Sequence, residues 1–291
     1  LLSYQPEMFQ SVQDILVSFN WMRAAMMGGV SPSTHFIGGV QEDKRALQNG
    51  AEMFAWHKRN EEYLYHRRQI ARIALVRSLK NTCYYGKDRC QVRTVQPMNG
   101  MVAALKRARL PFYPIDSRQM NDKLEKLKLI ILPDIAVLSD DEIGAIEKHV
   151  KNGGSLVLTG ATGMLDELGY PRKEFPLDKL LGIEREETEP LESEIESGTT
   201  HNHPHHNYIR MSQPRHEIFK GFEDTDILNL HGIFYKVKSD RLAAIAHMVP
   251  TFPTYPPEAS YMQDGEHVSQ YPALLAGETG YGGRVVYFAA D

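Results

Sequence analysis

Hydrophobic positions recur with helical spacing over residues 8–29, at Met8, Val12, Ile15, Leu16, Phe19, Met22 and Met26. That spacing predicts an amphipathic helix with a wide apolar face. Gly28-Gly29 would end it. Residues 30–37 then read as a short strand closed by Gly38-Gly39, and Asp43 as the cap of a helix running to about Tyr65. The pattern changes at Arg72. Ile73-Ala74-Leu75-Val76 is an unbroken apolar run, as expected of a strand buried on both faces. A helix over 98–109 follows, then strands at 112–116 and 128–134, the latter closed by Pro133. Ser139 with Glu142 forms a capping box for a helix ending near Lys151 at Gly153-Gly154. Residues 155–160 read as a fourth strand. Strands alternating with helices at this interval predict βαβ units and a parallel sheet.

After Gly163 the pattern loosens. Residues 184–196 (EREETEPLESEIE) are acid-rich and read as a solvated loop or edge. Strand-like runs return at 207–211, 233–237, 242–248, 273–276 and 284–289, either extending the sheet or building a small β lobe.

Composition narrows the class. The 42% hydrophobic content suffices for a sizeable core. A net charge of −4 with a pI near 6.3 provides no footprint for nucleic acid, and no apolar run has membrane-spanning length. Cys83 and Cys90 make no disulfide framework and no zinc spacing; they read as two ordinary thiols. The chain opens Leu1-Leu2-Ser3-Tyr4 and stops in an apolar run at Asp291, which suggests a piece of a longer protein.

The order strand, Pro133-Asp134, helix, Gly153-Gly154, strand, Thr159-Gly160-Ala161-Thr162-Gly163 resembles the class I glutamine amidotransferase-like fold, a Rossmann- or flavodoxin-like parallel sheet. In that family the fourth strand leads into a sharp turn that bears a nucleophilic Cys. Here the glycines remain, but Ala161 and Thr162 occupy the turn, so it reads as degenerate. The phrases at 130–134, 153–160 and 282–288, with Gly221-Phe222-Glu223-Asp224-Thr225 and Tyr255-Pro256-Pro257-Glu258, are similar to the non-catalytic trimerisation domain of bacterial β-galactosidases and related glycoside hydrolases.

That resemblance implies a carbohydrate substrate, a homo-oligomer (a trimer) and no cofactor, while charge and hydropathy argue for no nucleic-acid or membrane partner. It also makes residues 1–68 the terminal β/α unit of a (β/α)8 barrel and 69–291 the amidotransferase-like domain. The catalytic carboxylates would then lie on barrel strands outside this chain. The visible substrate contacts would be Ser33, His35 and Phe36 at the end of the 30–37 strand, and Glu258 on its rigid Pro-Pro turn. Glu42-Asp43 and Asp140-Asp141-Glu142 sit at helix starts, where acids favour the dipole, and read as caps. His201, His203, His205 and His206 are weak metal candidates, against the reading of a polar loop entering the next strand. A second class of function stays open: a non-enzymatic carbohydrate-binding or assembly domain built on the same scaffold.

Overall fold

The structure, a computed structural model, describes residues 2–4, 10–12, 24, 26, 45–66, 70–185, 207–213, 216–230, 234–249 and 270–290. The chain divides into two compact units, Leu1–Gln69 and Ile70–Asp291.

In the first unit, β1 (Leu2–Tyr4) pairs antiparallel with β2 (Gln10–Val12), Leu2 opposite Val12. This corrects the first part of the helix expected over 8–29, whereas Ala24 and Met26, later in that span, are helical. Cross-strand backbone hydrogen bonds take residues 10–12, although Met8 and Val12 fit helical spacing. The expected strand at 30–37 lies outside the described residues. Helix α1 (Arg45–Arg59) fulfils the second helical pattern, and a short helical turn, Glu61–Leu64, follows it. His57, Lys58 and Arg59 occupy the last turn of α1, where positive charge complements the helix dipole. Met53 is buried against Met26, with Trp56 and Leu64 packed alongside.

The second unit is built on one sheet, nine-stranded among the described residues. Its parallel half runs β4 (Phe112–Asp116), β3 (Ile73–Arg77), β5 (Leu129–Leu132), β6 (Ser155–Thr159), β13 (Arg284–Phe288). It continues antiparallel through β12 (Pro272–Glu278), β11 (Ala243–Val249), β8 (Asn207–Met211) and β9 (Ile227–Leu230). The expected parallel sheet is therefore one half of a mixed sheet. The late strand-like runs extend that sheet, with one exception. β10 (Val237–Ser239) pairs apart, with β7 (Ile183–Arg185).

The apolar run of β3 is buried on both faces, as its lack of alternation predicts. Ala74 and Val76 join one core with Ile130, Leu132, Ile146 and Val150. Leu75 joins another with Leu105 and Ile131. Helix α2 (Gln96–Arg107) covers the second face and α3 (Asp140–Lys151) the first. The capping box of α3 is formed as its sequence predicts: Ser139 Oγ accepts from the Glu142 N–H at 3.3 Å, and Glu142 Oε2 from the Ser139 N–H at 2.8 Å. α2 starts at Gln96, earlier than the spacing predicts, after wide π-type turns at Asn81–Gly86 and Gln91–Val95. Among the described residues no helix is long and apolar enough to cross a membrane.

Two glycines set how tightly strands approach. A Cβ on Gly154 would overlap the His149 imidazole, and one on Gly283 would overlap the carbonyl of Gly154. The entries of β6 and β13 thus touch backbone to backbone, which only glycine permits. Gly283→Ala is expected to destabilise the unit by about 1–3 kcal/mol, seen as a lower urea midpoint. Gly100→Ala, mid-helix in α2 with open space around it, should stabilise the unit by about 0.5–1 kcal/mol, seen as a higher midpoint. An unchanged midpoint for Gly283→Ala would refute the close approach.

Candidate functional site

The degenerate turn, Thr159-Gly160-Ala161-Thr162-Gly163, leaves the carboxyl end of β6. Gly160 and Gly163 adopt left-handed backbone, φ 52° and 78°, but Ala161 does not. The position that carries a strained nucleophile in a catalytic elbow is relaxed here. The turn's N–H groups are all used internally. Gly160 N donates to the carbonyls of Phe288 and Ala290, at 3.0 and 2.8 Å. Ala161 N donates to Asp134 Oδ1 at 2.7 Å. Thr162 N reaches the Thr159 carbonyl at 3.3 Å, and Gly163 N that of Ile135 at 3.0 Å. An oxyanion hole needs converging N–H groups that are free to receive charge; this turn has none to give.

Thr162 is fully buried. Its hydroxyl has one hydrogen and lies within reach of two carbonyls, Thr159 at 2.7 Å and Leu132 at 3.1 Å. It is a structural donor, not an exposed nucleophile.

Asp134 organises the surroundings. It is completely buried and itself adopts left-handed backbone, φ 51°, a conformation Asp tolerates better than most residues. Its N–H donates to Thr159 Oγ1 at 2.9 Å, and its carbonyl accepts from Asn81 Nδ2 at 2.8 Å. Asn81 Oδ1 in turn accepts from the Val137 N–H at 3.1 Å. The ends of β3, β5 and β6 are thereby tied together. On β13, the Tyr287 hydroxyl donates to the Gly160 carbonyl at 2.8 Å, and its burial pushes the phenol pKa up. Arg185, at the end of β7, donates Nη2 to the carbonyls of Gly160 and Thr162, at 3.3 and 3.4 Å. Its guanidinium lies 4.7 Å from the Phe175 ring centre and 5.4 Å from that of Tyr235.

Asn81, Arg185 and Tyr287 escaped the sequence reading. Arg185 sits inside an acid-rich run, and Tyr287 looks like any strand aromatic. Ser33, His35, Phe36, Glu258 and the histidines at 201, 203, 205 and 206 lie outside the described residues. Among the described residues no group of three or more His, Cys, Asp or Glu side chains is placed to hold a metal. Cys83 and Cys90 are free thiols. Asp140 pairs with Arg172 at 2.9 Å, and Glu142, which is buried, with Lys80 at 3.0 Å. Burial opposes ionisation of Glu142, yet the Ser139 N–H and the Lys80 ammonium are among the groups that outweigh it and hold its pKa below the usual value.

Residues 77–213 match the family model described as Beta-galactosidase trimerisation domain. The resemblance read from the Pro-Asp and Gly-Gly phrases is thus found over that segment. Among solved structures, the chain is similar to a β-galactosidase from Bacillus circulans sp. alkalophilus, with a TM-score of 0.74 and 16% identity over 99% of this chain and 41% of the other. A catalytic mutant of a GH42 β-galactosidase from G. stearothermophilus aligns with a TM-score of 0.72 and 16% identity, over 100% of this chain and 40% of that one. An alpha-L-fucosidase isoenzyme from Paenibacillus thiaminolyticus aligns at 0.62 with 15% identity, over 96% and 38%. At such identity the likeness shows the fold. The chain spans about two fifths of the length of these proteins. No curated protein matches it in sequence.

Asp134→Ala is expected to strand the Ala161 N–H and cost about 1–3 kcal/mol, measured by denaturant unfolding; an undiminished midpoint would contradict the role given to Asp134. The Glu142 carboxyl predicts a pH dependence. Its pKa is depressed in the folded chain, so on acidification the unfolded chain takes up the proton first. This contribution is complete above the ordinary glutamate value, about 4.3, and is lost as pH falls through the lower folded-state value. Glu142→Gln should flatten the acid limb of a stability–pH curve; an identical limb in both proteins would refute this.

Proposed function

We propose that this chain is the carboxyl-terminal part of a β-galactosidase-like glycoside hydrolase, with a non-catalytic α/β domain that serves oligomerisation or completes the active site. The observation that carries the reading is the trimerisation-domain match over residues 77–213, joined to a turn whose N–H groups and hydroxyl are all committed internally. The domain keeps the fold of a catalytic scaffold while having no nucleophile at the usual place. Its work is then mechanical: a rigid sheet that presents surfaces to other copies.

In this reading residues 1–68 are the last β/α unit of a (β/α)8 barrel and residues 69–291 the assembling domain. Helix α1 and the buried Met26–Met53 contact suit a barrel's outer helical layer. Ser33, His35 and Phe36 would stand at the sugar-facing rim, and Glu258 would reach a sugar from its Pro-Pro turn. The substrate is a carbohydrate and the assembly a homotrimer.

Light scattering after size-exclusion chromatography tests the assembly. The expected mass is three times that of the 33.1 kDa chain, and a monomer at micromolar concentration would sink the trimer. For the enzyme part, full-length protein carrying this chain should hydrolyse nitrophenyl β-galactoside. Glu258→Gln should lower that rate; full activity in the variant would remove Glu258 from the site.

A further inference from the structure

A crevice opens at the carboxyl ends of β3 and β4, away from the degenerate turn. Its cavity is about 210 Å³ and is lined by Leu79, Lys80, Tyr84, Asp116, Ser117 and Arg118, among others. The crevice lies outside the carboxyl ends of two paired parallel strands, walled by the loops that follow them, and this is the end of an open α/β sheet at which ligands bind.

The lining chemistry narrows the ligand. Both cations already hold an anion: Lys80 contacts Glu142 at 3.0 Å, and Arg118 Nε contacts Asp116 Oδ1 at 2.7 Å. An anionic ligand would gain little net charge attraction here. The paired ions instead offer donors and acceptors side by side. The Arg118 bond to Asp116 uses Nε, so the terminal guanidinium nitrogens keep their donors for a ligand. Asp116 is held in place as the cap of the next turn, accepting from the Arg118 N–H at 3.2 Å. Ser117 closes the wall as a nearly fully buried residue. Tyr84 adds an aromatic surface that is 40% exposed. It is braced from behind, because a Cβ on Gly169 would lie only 2.7 Å from the Cβ of Tyr84.

Fixed donors and acceptors beside an exposed ring suit a neutral polyhydroxylated ring with one apolar face. We infer that this crevice is a non-catalytic binding site for a single neutral sugar residue. Tyr84 stacks on its C–H face, while Arg118, Asp116 and Lys80 bond its hydroxyls. The inference goes beyond the assembly role and stands whether or not the chain forms a trimer.

Saturation-transfer NMR on the whole chain with D-galactose tests it, with inorganic phosphate as competitor. Transfer to the galactose ring protons is expected, undisturbed by phosphate. Tyr84→Ala and Arg118→Ala should each weaken binding by roughly tenfold, the scale of one lost stacking face or one lost charge-assisted hydrogen bond. Tyr63→Ala, an exposed aromatic of the first unit, should bind as the parent does. Thermal melts of the same samples check folding, and their light-scattering masses separate loss of assembly from loss of the site. No galactose transfer, equal transfer in folded Tyr84→Ala and Arg118→Ala, or displacement by phosphate would each overturn the proposal.

Discussion

The carboxylate of Asp134, closed over the N–H of Ala161, holds the working edge of the second unit together. Three parallel strands end there, and each strand end exposes backbone groups that a sheet ladder no longer satisfies. Asp134 deals with this through three separate atoms: its carboxylate, its N–H and its carbonyl bond to Ala161, Thr159 and Asn81. The left-handed backbone at Asp134 is the local cost of presenting all three. Without that clamp the turn after β6 would have a free N–H, and the loops after β3 and β5 would lose their common anchor. The same bonds that make the joint rigid also make it inert. A catalytic elbow needs donors held in reserve, and here they are spent on structure.

The other organising contact lies at the opposite, amino-terminal end of the strands, where Gly283 meets Gly154. β13 is where the sheet changes character, parallel to β6 on one side and antiparallel to β12 on the other. A strand that completes a parallel half and opens an antiparallel one must pair fully on both sides. The backbone contact at Gly154 and Gly283 sets the spacing at its start, and the Tyr287 hydroxyl on the Gly160 carbonyl fixes its far end. Between them, Val285 and Tyr287 are buried in the main core. The joint and the sheet extension are therefore mechanically one piece.

Much of this fold was legible wherever local chemistry decides the outcome. Phe112–Asp116 and Asn207–Met211 are strands with the bounds their patterns predict. The Ser139–Glu142 box is a signal four residues long that needs nothing from the rest of the chain. The hidden features depend on distant partners. β7 is a three-residue strand at the start of an acid-rich run, and it exists because β10 pairs with it. The Gln10–Val12 strand likewise needs Leu2–Tyr4. At the site, the missing cysteine was plain from Ala161, and so were the glycines around it. The reason the turn is inert was not. Asp134 reaches Ala161 across 27 residues and Tyr287 reaches Gly160 across 127, separations at which no periodicity carries information.

How such a domain would associate is constrained by its sheet edges. Among the described residues β4 is one outer strand and β9 the other. An open edge invites strand addition from another copy, which tends toward runaway assembly unless something interrupts it. β4 carries Pro114 at its centre, opposite Leu75 of β3. Proline has no N–H, so the edge is broken as a template for a continuous ladder. On the β4 side a closed oligomer must then be made through side chains on the helical faces and loops. Such surfaces can be matched in shape and charge to give a ring that closes, whereas an extended ladder has no natural end. The proline thus favours a finite assembly, because a ladder of copies that runs on through β4 is interrupted there, whatever pairs with β9.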